Sequence, residues 1–146
     1  MENYQVSIGF KDGYIAFANI TTDKNKTSTH TNYENGKLSS ITLYENTSPV
    51  DMKNYYDNGN LAGHVTYNSN GKMEGTIIQY YENGNLAKSI EYVNGEMNGL
   101  SITYFENGNI QSESQYVNGK LHGISKLYNE DGSLRSTANY VNGELQ

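Results

Sequence analysis

The sequence has no cysteine, no tryptophan, one proline and no long apolar run. Without cysteine there is no disulfide framework, no thiolate metal site and no cysteine nucleophile. No stretch approaches the roughly 20 apolar residues needed to cross a bilayer. The opening MENYQVSIGFKDG lacks the basic region and apolar stretch of a secretory signal, so a cytoplasmic location is expected. Hydrophobic residues are also scarce, at 35%, which raises the question of disorder. Disordered chains, however, combine low hydrophobicity with high charge and few aromatics. Here charged residues are only 18% and aromatics are 12%, so an ordered chain is expected.

What is present points to strands and turns. The 146 residues fit one domain and include 15 Gly and 14 Tyr. A chain poor in aliphatics but rich in Tyr, Gly and Asn suits many short strands joined by tight turns. The net charge of -6 disfavours phosphate backbones and anionic lipid. Neither nucleic acid nor direct membrane binding is therefore expected, and the default partner is a neutral or basic protein. Three glycosylation-type tripeptides, at Asn19, Asn25 and Asn46, are read as chance in a chain so rich in Asn, Thr and Ser.

The glycines are periodic. Gly71, Gly95, Gly119 and Gly143 are 24 residues apart, and a second series runs Gly36, Gly59, Gly84, Gly108 and Gly132. The clearest unit is YENGNLAKSIEYVNGEMNGLSITY from Tyr81, followed by FENGNIQSESQYVNGKLHGISKLY from Phe105 and the shortened NEDGSLRSTANYVNGELQ from Asn129. Upstream, a copy with one extra residue begins at Tyr56 and a degenerate one at Tyr33. Each unit reads as a β-hairpin plus a connection, because Asn-Gly turns separate segments of strand length. Residues 33–146 thus form about five repeats. Residues 1–32 fit the pattern poorly and are expected to cap the array, with strands around Tyr4–Phe10 and Tyr14–Ile20 and a loop over Thr21–Lys26. The expected total is about 11 to 13 strands in a meander, with about 7 to 9 residues between turns.

Simple alternation assigns Leu86, Ile90 and Tyr92 to one face, continued by Leu100, Ile102 and Tyr104, by Ile110 and Tyr116, by Ile124 and Tyr128, and by Leu134, Ala138 and Tyr140. Ser101, Thr103, Gln111, Glu113, Gln115, Arg135 and Thr137 then fall on the other face. The expectation is one aliphatic-plus-Tyr face and one wetter face. Tyr92, Tyr116 and Tyr140 share one repeat position, as do Tyr80, Tyr104 and Tyr128. Equal positions in stacked repeats form ladders, so each unit is stabilised by its neighbours.

The units YYENGNLAKSIEYVNGEMNG and YFENGNIQSESQYVNGKLHG resemble the bacterial variant of the MORN repeat, over Tyr33 to Gln146. The resemblance implies an all-β fold: an elongated, single-layer, twisted antiparallel β-meander of stacked hairpin repeats. Bacterial proteins built only of this variant are commonly classed with antitoxins of toxin–antitoxin systems, and some are immunity proteins to secreted toxins. Eukaryotic relatives are associated with scaffolding and membrane junctions. Repeat folds host many functions, so the functional implication is looser than the structural one.

The residues offer no catalytic constellation. His30, His64 and His122 belong to no HxxxH or HExxH pattern, and no spacing suggests a zinc site. The glycines are turn glycines between strands, not a phosphate loop opening a helix. No enzyme activity, metal or cofactor is expected. Two rows are candidate binding features. Glu34, Asp57, Glu82, Glu106 and Glu130 precede the Asn-Gly of successive turns or its equivalent, joined by Asp131, and would line one long edge about 10 Å apart. The opposite edge, with Lys72, Glu96, Lys120 and Glu144, is balanced. These acids are either solvated turn residues or a ladder that attracts a basic partner. Tyr33, Tyr56, Tyr81 and Phe105 share another position, broken by Asn129; the row is either a protein-binding stripe or packing beneath the turn corner. The expected function is an antitoxin or immunity protein that covers a cognate basic toxin. The alternative is a scaffold without a toxin partner.

Overall fold

The computed structural model describes residues 4–22 and 27–146. The strands are β1 (Tyr4–Lys11), β2 (Tyr14–Thr22), β3 (Thr27–Glu34), β4 (Lys37–Glu45), β5 (Ser48–Tyr55), β6 (Leu61–Thr66) and β7 (Gly75–Tyr80). They continue as β8 (Leu86–Val93), β9 (Glu96–Tyr104), β10 (Ile110–Val117), β11 (Lys120–Leu121), β12 (Gly123–Tyr128), β13 (Leu134–Val141) and β14 (Glu144–Leu145). All fourteen belong to one antiparallel sheet in which the neighbours follow chain order, with the short β11 paired beside β12 on β10. The two-residue strands β11 and β14 and the additional strand β3 account for the higher count. Thr21 and Thr22 lie in β2; the rest of the expected loop, residues 23–26, lies outside the described residues.

The two turn series differ in geometry. At the Val-Asn-Gly turns the loop has two residues, with Val93 paired to Glu96, and both Asn94 (φ 52°) and Gly95 (φ 86°) are left-handed. This is the primed turn whose twist matches that of the flanking strands. At the Glu-Asn-Gly turns the loop is longer. The Gly84 N–H donates to the Tyr81 carbonyl at 2.9 Å, and the Tyr81 N–H donates to the Asn85 carbonyl at 2.8 Å. There only Gly84 is left-handed, and the Asn83 side chain accepts from the Asn85 N–H instead. The first copy departs from this rule: Asn35 and Gly36 are both left-handed, and Glu34 pairs with Lys37 at the strand ends.

The faces differ from simple alternation because each of these hairpins carries a β-bulge. Gln79 faces Lys88, but Tyr80 faces Leu86, leaving Ala87 as the extra residue. The same step occurs between Ile110 and Ser112, and between Leu127 and Tyr128. A bulge puts two residues opposite one and shifts the alternation. Leu86 therefore lies on the opposite face from Ile90 and Tyr92, and Leu134 on the opposite face from Ala138 and Tyr140. The register between hairpins shifts the pattern as well. Ile90 faces Ser101, whereas Ile102 faces Ser89 and Glu113. The two Tyr ladders thus stand on opposite sides, and neither face is purely aliphatic or purely polar.

The N-terminal hairpin carries the same bulge. Gly9 faces Phe17 and Phe10 faces Ile15, as Asn32 faces Ser40 and Tyr33 faces Leu38. Phe10-Lys11-Asp12-Gly13-Tyr14-Ile15 therefore builds the hairpin that Tyr33-Glu34-Asn35-Gly36-Lys37-Leu38 builds in the next copy. Its sequence signal was the Asp-Gly 23 residues before Asn35-Gly36.

Burial is slight, as expected of one layer. Thr42, Gly63, Ile77 and Ser101 are buried, and the pairing register places all four on one face, here termed inner. Ile77 is the only buried large apolar side chain among the described residues. With so small a core, stability depends on cross-strand pairs and on bonds between successive repeats.

Candidate protein-binding surface

Along the turn edge, from Asn58 onward, each repeat is tied to the next by side-chain amides. Asn58 and Asn60 both donate to the carbonyl of Glu82, each at 2.9 Å. Asn83 and Asn85 donate to the Glu106 carbonyl at 3.3 and 2.7 Å. Asn107 and Asn109 donate to the Glu130 carbonyl at 2.9 and 2.8 Å. The acids hold their places through backbone carbonyls, which leaves the carboxylates outside the lacing. Among the described residues, Glu82, Glu106 and Glu130 have exposed side chains that make no ion pair or hydrogen bond. The sequence marked these asparagines only as turn formers. Their coupling role lay in their recurrence two residues apart at three successive long loops.

The other candidate acids are placed differently. Asp57 is exposed and lies 4.0 Å from the ammonium of Lys37. Glu34 is exposed at the end of β3 and so is not equivalent to the loop acids. Asp131 occupies an Asn position of the lacing, where the hydroxyl and then the backbone N–H of Ser133 hold its carboxyl below the usual carboxylate range. The structure thus brings Asp57, Glu82, Glu106, Glu130 and Asp131 to one edge on successive loops.

The aromatic row is half-buried. The Tyr56 hydroxyl donates to the Tyr80 carbonyl at 2.7 Å, and the Tyr81 hydroxyl donates to the Tyr104 carbonyl at 2.6 Å. Phe105 keeps the ring without the hydroxyl, and Asn129 keeps neither. Tyr56 and Tyr81 border an open groove on the inner face with Gly63, Val65, Gln79 and Ala87. These rings therefore couple repeats while presenting one side to the groove.

The opposite edge is laced as well: the N–H groups of Gly95, Gly119 and Gly143 donate to the carbonyls of Met73, Met97 and Leu121. From Asn58 onward, both long edges carry bonds between successive repeats, which favours a stiff strip there. Polar clusters elsewhere are small. His64 Nε2 lies 2.6 Å from Asp51 Oδ2. Glu113 accepts from Tyr128 at 2.8 Å and from Lys126 at 3.3 Å; these bonds hold its carboxyl below the ordinary range. Among the described residues, no group of three or more His, Cys, Asp or Glu is placed to hold a metal ion. No helix of the described residues is long and apolar enough to cross a membrane.

The paired turn series, the recurrent bulge and the lacing repeat along the sheet. The model of the MORN repeat variant matches residues 31–46, 50–69, 73–94, 97–118 and 121–142, well over half of the chain. The chain belongs to the MORN repeat variant family. MORN repeats generally serve as protein-interaction or scaffold motifs, and proteins built of them are typically non-enzymatic. The first MORN match begins inside β3, so the N-terminal hairpin with its identical bulge lies ahead of the matched segments. A search of curated proteins finds no match to the chain.

Proposed function

We propose that this MORN-repeat chain is a protein-binding antitoxin or immunity protein that neutralises a cognate basic toxin by covering it with an extended acidic sheet. The observation that carries this reading is the row of unpaired carboxylates on Glu82, Glu106 and Glu130, set on a backbone fixed by amide lacing. Successive loops along the sheet space the acids at about 10 Å. Such a row steers a basic protein into encounter and fixes its register along the strip, at no cost in reorganisation. The open inner face then supplies contact area, and inhibition is steric.

The test is to co-express the chain with the products of the reading frames adjacent to its gene, a basic product being the expected partner. Rescue from growth arrest and a complex with the purified product are the expected results. The triple variant Glu82→Lys, Glu106→Lys, Glu130→Lys is expected to associate more slowly and with a flatter salt dependence. Unchanged on-rates rule out the acidic row as the docking element. Failure of both rescue and complex formation rules out the toxin reading. A complex without rescue favours the alternative, a scaffold that joins proteins without silencing a toxin.

A further inference from the structure

The most exposed apolar side chains gather at the two ends of the sheet, with Ile124 (61%), Leu134 (55%) and Leu145 (67%) at one and a continuous group at the other. Val6 (61% exposed), Ile8 (52%), Phe10 (69%), Ile15 (40%) and Ile20 (47%) all lie in the first hairpin. The register puts them on one face, since Val6 pairs with Ile20, Ile8 with Ala18 and Phe10 with Ile15. Elsewhere on that face the row is broken by Lys53, His64, Glu113 and Lys126, placed there by the same register argument. Among the described residues β1 pairs only with β2, so one side of its backbone is an open sheet edge. Between Gln5 and Phe10 it carries no charge and no proline, the usual guards of an edge strand.

Charge selects the occupant. Residues 1–26 contain three acids and three lysines and sum to zero, so the whole net charge of -6 sits on residues 27–146. Two copies of an acidic strip repel along most of their length, and least where their neutral ends meet. Strand geometry adds a second argument. Two antiparallel strands related by a two-fold axis normal to the sheet keep their faces. Their hydrogen-bonding groups meet only when residues of the same parity are opposed. When β1 pairs with another β1, Val6 and Ile8 therefore fall opposite residues of their own set. With Ser7 on the axis, Val6 faces the partner copy's Ile8, and the apolar row runs unbroken across the seam.

We propose that the chain forms a two-fold dimer by antiparallel pairing of β1 with β1 of a second copy. The two sheets join edge to edge, with the Val6–Ile8 row continuous across the join. The dimer would display two acidic edges pointing away from its neutral centre. This inference is independent of the toxin reading, because the hairpin shares no residue with the acidic row.

Sedimentation equilibrium of the full chain over a range of concentrations tests it. A reversible dimer is expected, together with the monomer only for the double variant Val6→Lys, Ile8→Lys, which sets like charges across the seam. Both side chains are already exposed, so the variant is expected to keep its far-UV circular dichroism and a cooperative thermal transition, with a midpoint that, unlike that of the wild type, does not rise with protein concentration. Ile124→Lys, on the same face at the far end of the sheet, is expected to leave the dimer intact. A wild-type monomer across the whole range overturns the proposal, as does a dimer in the double variant or one dissolved by Ile124→Lys. A wild-type monomer whose capture of the adjacent gene's product is lost in the double variant also overturns it, and reassigns the patch to that partner.

Discussion

The side-chain amide of Asn85 donates to the backbone carbonyl of Glu106 at 2.7 Å, from one loop to the next along the sheet edge. Asn83 reaches the same oxygen at 3.3 Å. The acid is therefore held by its main chain, and the amide is the coupling element. Replacing Asn85 by Asp keeps the shape, removes the donor and sets a carboxylate near a carbonyl oxygen. A loss of about 1 to 2 kcal/mol is expected in denaturant unfolding. Glu106→Gln, which leaves the carbonyl in place, is expected to change stability by less than about 0.5 kcal/mol.

The ring row separates into its two roles by a graded series. Tyr81→Phe removes the bond to the Tyr104 carbonyl and should cost about 0.5 to 1.5 kcal/mol. Phe105 already fills the equivalent position without a hydroxyl, so the fold is expected to persist. Tyr81→Ser also removes the ring and is expected to cost more. If Tyr81→Phe binds a partner normally while Tyr81→Ser stays folded and fails to bind, the ring face contributes to recognition.

Gly99 offers a backbone test. Its φ is 125°, and a Cβ added there meets the carboxylate of Glu91. Glu91 also accepts from the Leu100 N–H at 3.0 Å, so it is not free to move away without losing that bond. Gly99→Ala is expected to lower the thermal midpoint through strain of about 1 kcal/mol or more. A midpoint equal to wild type contradicts this.

The Glu113–Tyr128–Lys126 cluster makes stability depend on pH at both ends. The Tyr128 hydrogen bond, then Lys126, lowers the Glu113 pKa. A carboxyl lowered on folding adds stability above its unfolded pKa and loses it as pH falls through the folded value. The Glu113 bond raises the pKa of both Lys126 and Tyr128. Their contribution is present below their unfolded pKa values and is lost as pH rises through the folded ones. Unfolding curves of wild type and Glu113→Gln are therefore expected to differ at neutral pH and to converge in strong acid and in strong alkali. The cluster is largely solvated, so the effect is expected to be small and salt-sensitive.

The sequence by itself determined the repeat, the all-β class, the turn sites and the absence of a thick core. These are local properties: Asn-Gly tolerates left-handed backbone, β-branched and aromatic residues suit strands, and the 24-residue spacing fixes the unit. Even Asp12-Gly13 already carried the turn chemistry of the later copies. Only the tertiary structure decided which side chains share a face. The alternation rule holds within one unbroken strand, and one extra residue at Ala87, Gln111 or Arg135 reverses it. That is why Leu86 and Ile90, four residues apart in one strand, point to opposite sides. The amide lacing was hidden for a related reason: Asn85 and Glu106 are 21 residues apart and meet only when stacked hairpins bring their loops side by side. The candidate acids were legible as a periodic row. Their freedom from internal partners was not, because it depends on the neighbouring asparagines bonding to their carbonyls and leaving the carboxylates outside.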